Sequence, residues 1–279
     1  MLLLLRPDAG RHNADARVAV MPASGYSRYV AIGDSQTEGL WDGDDSAGLI
    51  GFADRLAAIL DSHYPGLTYA NLAIRGKRVG DVLAEQLPQA LAMQPDLMTV
   101  CVGMNDVTRP GRFFSRALAD LEHLHAQLGE SGATVVTTTL PDLAPILPVG
   151  RLLAARVVQI NDAIAAAAAR LGFRLVDLYN AKSMKEPDTW SADRVHGSTK
   201  GHILFAAAAA EALGVPHSNH DWAACASGNA ILPSFGASAF SQLLWTQNMF
   251  APWIWRHLRG RSSGDGRAPK RPRLEGLQP

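Results

Sequence analysis

The chain predicts an α/β fold, a three-layer αβα sandwich with a five-stranded parallel sheet, and three observations lead there. Short apolar, partly β-branched runs alternate with stretches of ten or more residues at helical spacing, and each parallel connection needs such a stretch to cross back over the sheet. The most apolar run, Asp96-Leu97-Met98-Thr99-Val100-Cys101-Val102, reads as a strand buried on both faces. Finally, 279 residues of which 47% are hydrophobic suffice for the full core of one ordinary domain with appendages.

The first strand is Tyr29-Val30-Ala31-Ile32, which breaks at Gly33 and presents Asp34-Ser35 at its carboxyl end. Open α/β sheets put their active sites at that end. The loop Trp41-Asp42-Gly43-Asp44-Asp45-Ser46-Ala47-Gly48 is acidic, but Ala47 and Ala53 stand where a calcium loop needs Gly and an acid. It reads as a solvated loop. Phe52 to Ser62 carries Phe52, Leu56, Ile59 and Leu60 at helical spacing and stops before Tyr64-Pro65-Gly66.

Leu67 to Leu72 is the second strand, followed by Ala73-Ile74-Arg75-Gly76 and a helix from Val79 to Met93. The third strand, Asp96 to Val102, ends in Gly103-Met104-Asn105-Asp106. A helix over Phe113 to Leu128 leads to a β-branched fourth strand, Ala133 to Thr139, and an alanine-rich helix over Arg151 to Leu171 feeds the fifth, Phe173 to Asp177. The last helix, Thr199 to Leu213, follows His196-Gly197-Ser198, with Ser198 or Thr199 as its cap.

Twenty-six basic against 26 acidic side chains give no overall electrostatic case for nucleic acid. Cys101 and Cys225, far apart, exclude a disulfide framework or a cysteine-rich metal site. The opening Leu2 to Leu5 run is cut short by Arg6-Pro7-Asp8, too soon for a secretory core, so a cytoplasmic location is expected. Residues 1–24 are expected to be a disordered N-terminal extension, with either Met1 or Met21 as the true start. No window is expected to reach the apolar length of a membrane span.

Three strand-end loops on one sheet edge hold Ser35, Gly76 and Asn105, and Asp193-Arg194-Val195-His196 sets a carboxylate three residues before an imidazole. A hydroxyl, a base held by a carboxylate, and donors for an oxyanion are the parts that acyl transfer requires. Each has a plainer reading: Ser35 as a helix cap, Asn105-Asp106 as a turn, His196 as a core or capping histidine. Asp34 and Asp177 are rival orienting carboxylates, although Asp34 is placed to brace the turn and Asp177 has no histidine nearby in sequence.

Taken in order, Gly33-Asp34-Ser35, Gly76, Gly103-Met104-Asn105-Asp106 and Asp193-x-x-His196 make the chain resemble the SGNH (GDSL-type) hydrolase family, over roughly Tyr29 to Leu213. The resemblance implies a flavodoxin-like sandwich, Ser35 as nucleophile, His196 as general base, Asp193 as its orienting partner, and an oxyanion hole made by the Ser35 and Gly76 amides with the Asn105 side chain. It implies a serine esterase or lipase-like hydrolase of small-molecule esters, without cofactor or metal. A carbohydrate O-deacetylase or thioesterase would use the same triad, and a non-catalytic flavodoxin-like binding module would keep the fold. Two positions depart from the family pattern. Gln36 replaces the usual Leu and is expected only to retune the turn, and Arg75 before Gly76 is a candidate to narrow the pocket or meet an anionic substrate. The Gly-x-Ser-x-Gly of ordinary α/β-hydrolases is absent, since Thr37 occupies the second Gly position.

His123 and His125, two apart on a helix, face different directions and so do not suggest a shared metal. The domain is expected to span residues 25–215, with an aromatic-rich helical appendage over 216–258 and a disordered basic tail over 259–279 that is dispensable for chemistry. From Arg256 onward seven cations meet two anions, so weak contact with a membrane surface is a further expectation. Oligomeric state is left open.

Overall fold

In the computed structural model, which describes residues 25–46, 48–109, 111–142, 144–145, 150–225 and 264–277, the site is carried by one central sheet. Its strands are β1 (Arg28–Gly33), β2 (Thr68–Asn71), β3 (Leu97–Cys101), β4 (Thr134–Thr138), β5 (Arg174–Val176) and β6 (Arg271–Gly276). They lie in the order β5-β4-β3-β1-β2-β6. The first five are parallel, and β6 runs antiparallel to β2. The expectations for residues 1–24, and for the appendage beyond Cys225, lie outside the described residues.

Alternate residues of each strand face opposite layers. From β1, Tyr29 and Ala31 join Tyr69, Leu97 and Val136 against α1 (Gly51–His63) and α5 (Thr199–Leu213), through Phe52, Leu56, Phe205 and Leu213. Val30 and Ile32 join Ala70, Met98, Val100 and Val135 on the other face. There α2 (Leu87–Ala92), α3 (Gly111–Glu130) and α4 (Gly150–Leu171) supply Leu87, Leu121, Leu124, Ile160 and Ile164. Because both faces are covered, the central strands read as unbroken apolar runs. Among the described residues one helix, α4, is by length and composition apolar enough to cross a membrane, which the expectation of no such window missed. Here α4 lays Val157, Ile160 and Ile164 on the sheet core.

Two elements differ from the sequence reading. The helix expected from Val79 to Met93 is divided into a turn at Val79–Asp81, a π-helical segment at Val82–Gln86, and α2. Pro88 has no N–H to donate to the Ala84 carbonyl, so the regular ladder fails there. The sheet has six strands rather than five, because residues 271–276 of the tail expected to be disordered form β6. Arg-Pro-Arg-Leu-Glu-Gly has no apolar alternation to announce a strand. An edge strand needs none, being fixed by its backbone bonds to β2, and Pro272 is tolerated at an edge.

The chain leaves β1 toward β2 on one side and returns to β3 on the other, so strand order reverses between β1 and β3. That reversal opens a crevice at their carboxyl ends. Gly33 and Cys101 are paired in register there, which sets the loops bearing Ser35 and Asn105 side by side.

Candidate active site

Ser35 opens a single helical turn, Ser35–Glu38, at the end of β1. Two features hold that turn in place. Gly33 takes φ 150, and a Cβ there would fall 2.2 Å from the Cys101 carbonyl oxygen, so no other residue allows β1 to bend this close to β3. The Gln86 carboxamide then clamps Gly33 from the π-helical segment, accepting its N–H at 2.8 Å and donating to its carbonyl at 2.9 Å. Asp34 caps the turn by accepting the Gln36 N–H at 3.2 Å.

His196 and Asp193 come from the loop between Trp190 and α5, which an isolated bridge of Trp190 to Gly197 closes at its base. Arg194 adopts φ 62, so the loop turns tightly enough to bring the Asp193 carboxylate back to the ring. His196 Nδ1 lies 2.6 Å from Asp193 Oδ2, and His196 Nε2 lies 2.7 Å from Ser35 Oγ. Asp193 Oδ1 accepts from Ser191 Oγ (2.7 Å), Val195 N (2.9 Å) and His196 N (3.0 Å). Burial pushes the Asp193 carboxyl up, but its hydrogen bond to His196, the histidine charge and the backbone donors outweigh burial and hold it well below the usual range. With Asp193 ionised, Nδ1 is the donor and Nε2 is left to accept the serine proton.

Two contacts here went unread in the sequence. Trp41 Nε1 donates to Asp193 Oδ2 at 2.7 Å. Gln36, expected only to retune the turn, spans the His196 loop: its Nε2 donates to the Val195 carbonyl (3.2 Å) and its Oε1 accepts the Gly197 N–H (3.1 Å). A polar side chain in place of the family's Leu was the available signal for Gln36. For Trp41 there was none, since its partner lies 152 residues away.

Asn105 stands on the short helix Met104–Val107 after β3. Its Nδ2 donates to the Lys77 carbonyl at 2.9 Å and makes a longer, 3.4 Å contact with Asp34 Oδ2. Asp106 Oδ2 accepts the Val79 N–H at 3.1 Å, so consecutive side chains tie the β3 loop to the loop carrying Gly76. Gly76 takes φ 77, a region that disfavours a side chain. Burial pushes the Asp106 carboxyl up to about 7 and that of Asp34 up to about 6.

Arg75 calls for a correction as a substrate contact. Its side chain is buried and its guanidinium is held within the protein, by Glu38 (Nε to Oε2 2.9 Å, Nη2 to Oε1 2.9 Å) and by Asp45 Oδ1 (2.9 Å). The rival Asp177 accepts from Thr139 Oγ1 (3.1 Å) and Asn180 Nδ2 (2.6 Å). It lines a groove of about 820 Å³ with Leu175, Glu211 and Trp222, a groove whose lining includes none of Ser35, Asp193 and His196. His125 is buried and His123 exposed, facing apart as their spacing requires.

A hydroxyl, imidazole and carboxylate bonded in series at the reversal point of a mostly parallel sheet are the equipment of an ester-bond hydrolase. The chain belongs to the GDSL-like lipase/acylhydrolase family, whose model matches residues 31–204. It is 26% identical over 213 residues to an acetylxylan esterase of Geobacillus stearothermophilus, covering 66% of this chain and 92% of that protein. Its fold is that of a catalytic mutant of Axe2, an acetylxylan esterase from Geobacillus stearothermophilus (TM-score 0.58, 22% identity, 70% of this chain and 97% of that one). It is also that of LAE5, an alpha/beta hydrolase enzyme from the metagenome of Lake Arreo (TM-score 0.56, 24% identity, 67% and 95%).

Proposed function

We propose that this ester hydrolase cleaves small carboxylic esters through an acyl-enzyme on Ser35. The observation that carries the reading is the unbroken relay from Ser35 Oγ to His196 Nε2 (2.7 Å) and from His196 Nδ1 to Asp193 Oδ2 (2.6 Å). His196 takes the serine proton as Oγ attacks the ester carbonyl, then returns it to the departing alkoxide. A water molecule, deprotonated by the same imidazole, attacks the acyl-enzyme and releases the acid. Charge on the tetrahedral oxygen is met by the Ser35 and Gly76 N–H groups and by Asn105 Nδ2, whose second proton makes only the long contact with Asp34 before substrate arrives. Asp193 stays ionised and orients the ring.

The similarity to an acetylxylan esterase favours one variant of this reading, in which the ester is an acetyl group on a carbohydrate hydroxyl. The same triad serves both.

Fluorophosphonate labelling followed by peptide mass spectrometry tests the mechanism. The adduct is expected on the peptide holding Ser35, and Ser35→Ala is expected to abolish both labelling and hydrolysis of a short-chain aryl ester. Folded protein with an unlabelled Ser35 would overturn the reading. A panel of aryl esters of increasing acyl length beside acetylated xylo-oligosaccharides separates a general esterase from a carbohydrate deacetylase.

A further inference from the structure

The segment 264–277, far in sequence from Ser35, His196 and Asn105, folds onto the loops that carry them. Ahead of β6, Lys270 Nζ donates to the Leu49 carbonyl (3.0 Å), the Ile50 carbonyl (2.5 Å) and Asp54 Oδ2 (2.6 Å), with its side chain 17% exposed. Three residues earlier, Arg267 grips Asp45 with both terminal nitrogens, Nη2 to Oδ2 at 2.7 Å and Nη1 to Oδ1 at 3.2 Å. Asp45 passes the contact inward, since its Oδ1 also accepts from Arg75 Nη2 at 2.9 Å. Arg75 is in turn held on Glu38, which accepts both its guanidinium and its backbone N–H (2.7 Å). Gly264 rests on the same peptide so closely that a Cβ there would meet the Arg75 carbonyl oxygen at 2.1 Å.

The two inner members of this chain sit beside the reacting groups. Glu38 ends the helical turn that Ser35 begins, and Arg75 immediately precedes Gly76. We propose that Arg267 is a positioning residue for oxyanion binding. Through Asp45, Arg75 and Glu38 it fixes the Arg75-Gly76 peptide against the Ser35 turn. The inference rests on the reading above that the Gly76 N–H receives the oxyanion.

The physical reason is that the Gly76 loop is irregular backbone, held beyond Gly76 by Asn105 and Asp106 and before it by Glu38 and Asp45. Outside strands and helices, a donor stays aimed only if its neighbours fix it, and a displacement of about 1 Å can cost as much as 10²-fold in rate. The buried Arg75–Glu38 pair fixes one end of the peptide, and Asp45 aligns the Arg75 guanidinium from outside. The Asp45 side chain is 54% exposed, so without Arg267 its contact with Arg75 is a single solvent-facing one. Arg267 supplies the planar two-pronged grip that a lysine would replace with a single point contact.

The test compares Arg267→Ala and Arg267→Lys in the full chain, measuring kcat, KM, melting temperature and the rate of fluorophosphonate labelling. Arg267→Ala is expected to lower kcat and the labelling rate about tenfold, with KM changed less than about threefold. Arg267→Lys should recover part of the loss. Arg267 is itself 40% exposed, so the melting temperature should hardly move. A kcat and labelling rate equal to wild type in Arg267→Ala would overturn the inference, as would a loss that merely tracks a fall in melting temperature. A wild-type protein that takes no label on Ser35 would overturn the proposed mechanism along with it.

Discussion

Gln36 brackets His196, its carboxamide bonded to the Val195 carbonyl on one side of the histidine and to the Gly197 N–H on the other. Gln36 directly follows Ser35, so the turn of the proposed nucleophile also carries the clamp on the loop of the proposed base. Gln36→Leu should therefore lower kcat by about tenfold while leaving KM within a few-fold, because the ring is held less firmly rather than removed. Steady-state kinetics beside a thermal melt would check this. A kcat within about twofold of wild type would show that Asp193 alone orients the ring.

The two rival carboxylates give a sharper contrast. Asp193→Asn should depress kcat by about 10⁴-fold at neutral pH, since an amide that donates toward Nδ1 favours the wrong tautomer. Asp177, occupied by Thr139 and Asn180, should tolerate the same change with nearly unaltered rate. If Asp177→Asn lost activity and Asp193→Asn kept it, the assignment would reverse.

Asn105→Ala should cost about 10²-fold in kcat with KM comparatively unaffected, because the oxyanion it is proposed to meet is complete only in the transition state. The variant also releases the Lys77 carbonyl, so part of the loss reports the position of the Gly76 loop. Rates on one soluble aryl ester, with labelling of Ser35 to count active sites, would separate slow turnover from an inactive fraction.

His125 predicts a pH effect on stability. It is 1% exposed, lies edge-on to Phe173, and its Nε2 has no hydrogen-bond partner among the described residues. Burial, helped by the charge of Arg170, lowers its pKa from 6.5 to about 4. The unfolded chain therefore binds more protons than the folded one between those values. Stability rises with pH across that window and is lost as pH falls through it, by an amount on the order of 3 kcal/mol at the acid end. His125→Phe should make the fall in melting temperature from pH 6.5 to 4.5 shallower. His202, also held at about 4, keeps part of the slope. Equal slopes in variant and wild type would place the linkage elsewhere.

The central strands β1 and β3 were legible because burial on both faces leaves an unbroken apolar run, and β4 because it is β-branched. The helix starting at Thr199 was legible from Ser198, whose hydroxyl accepts the Gly201 N–H at 3.2 Å. The split of the helix expected over Val79 to Met93 was hidden, although Pro88 marked the place, since its purpose is to aim Gln86 at Gly33 across 53 residues. Arg75 was misread as a substrate contact because a cation next to a site glycine looks available until Glu38 and Asp45 are found around it.

By itself the sequence put forward the side chains of the proposed chemistry: a serine after a strand-ending glycine, an asparagine after the next strand but one, and a carboxylate three residues from a histidine. Those are local patterns, set by turn geometry and by the period of a strand. Only the tertiary structure decided what holds them at working distance. Gln36 on the His196 loop, Trp41 on Asp193, and the terminal segment on Asp45 and Leu49 are contacts between residues more than 150 positions apart. Nothing local in the chain encodes such pairings, because they arise when the folded sheet brings separate loops to one edge, where the cost of ordering them has already been met by the core.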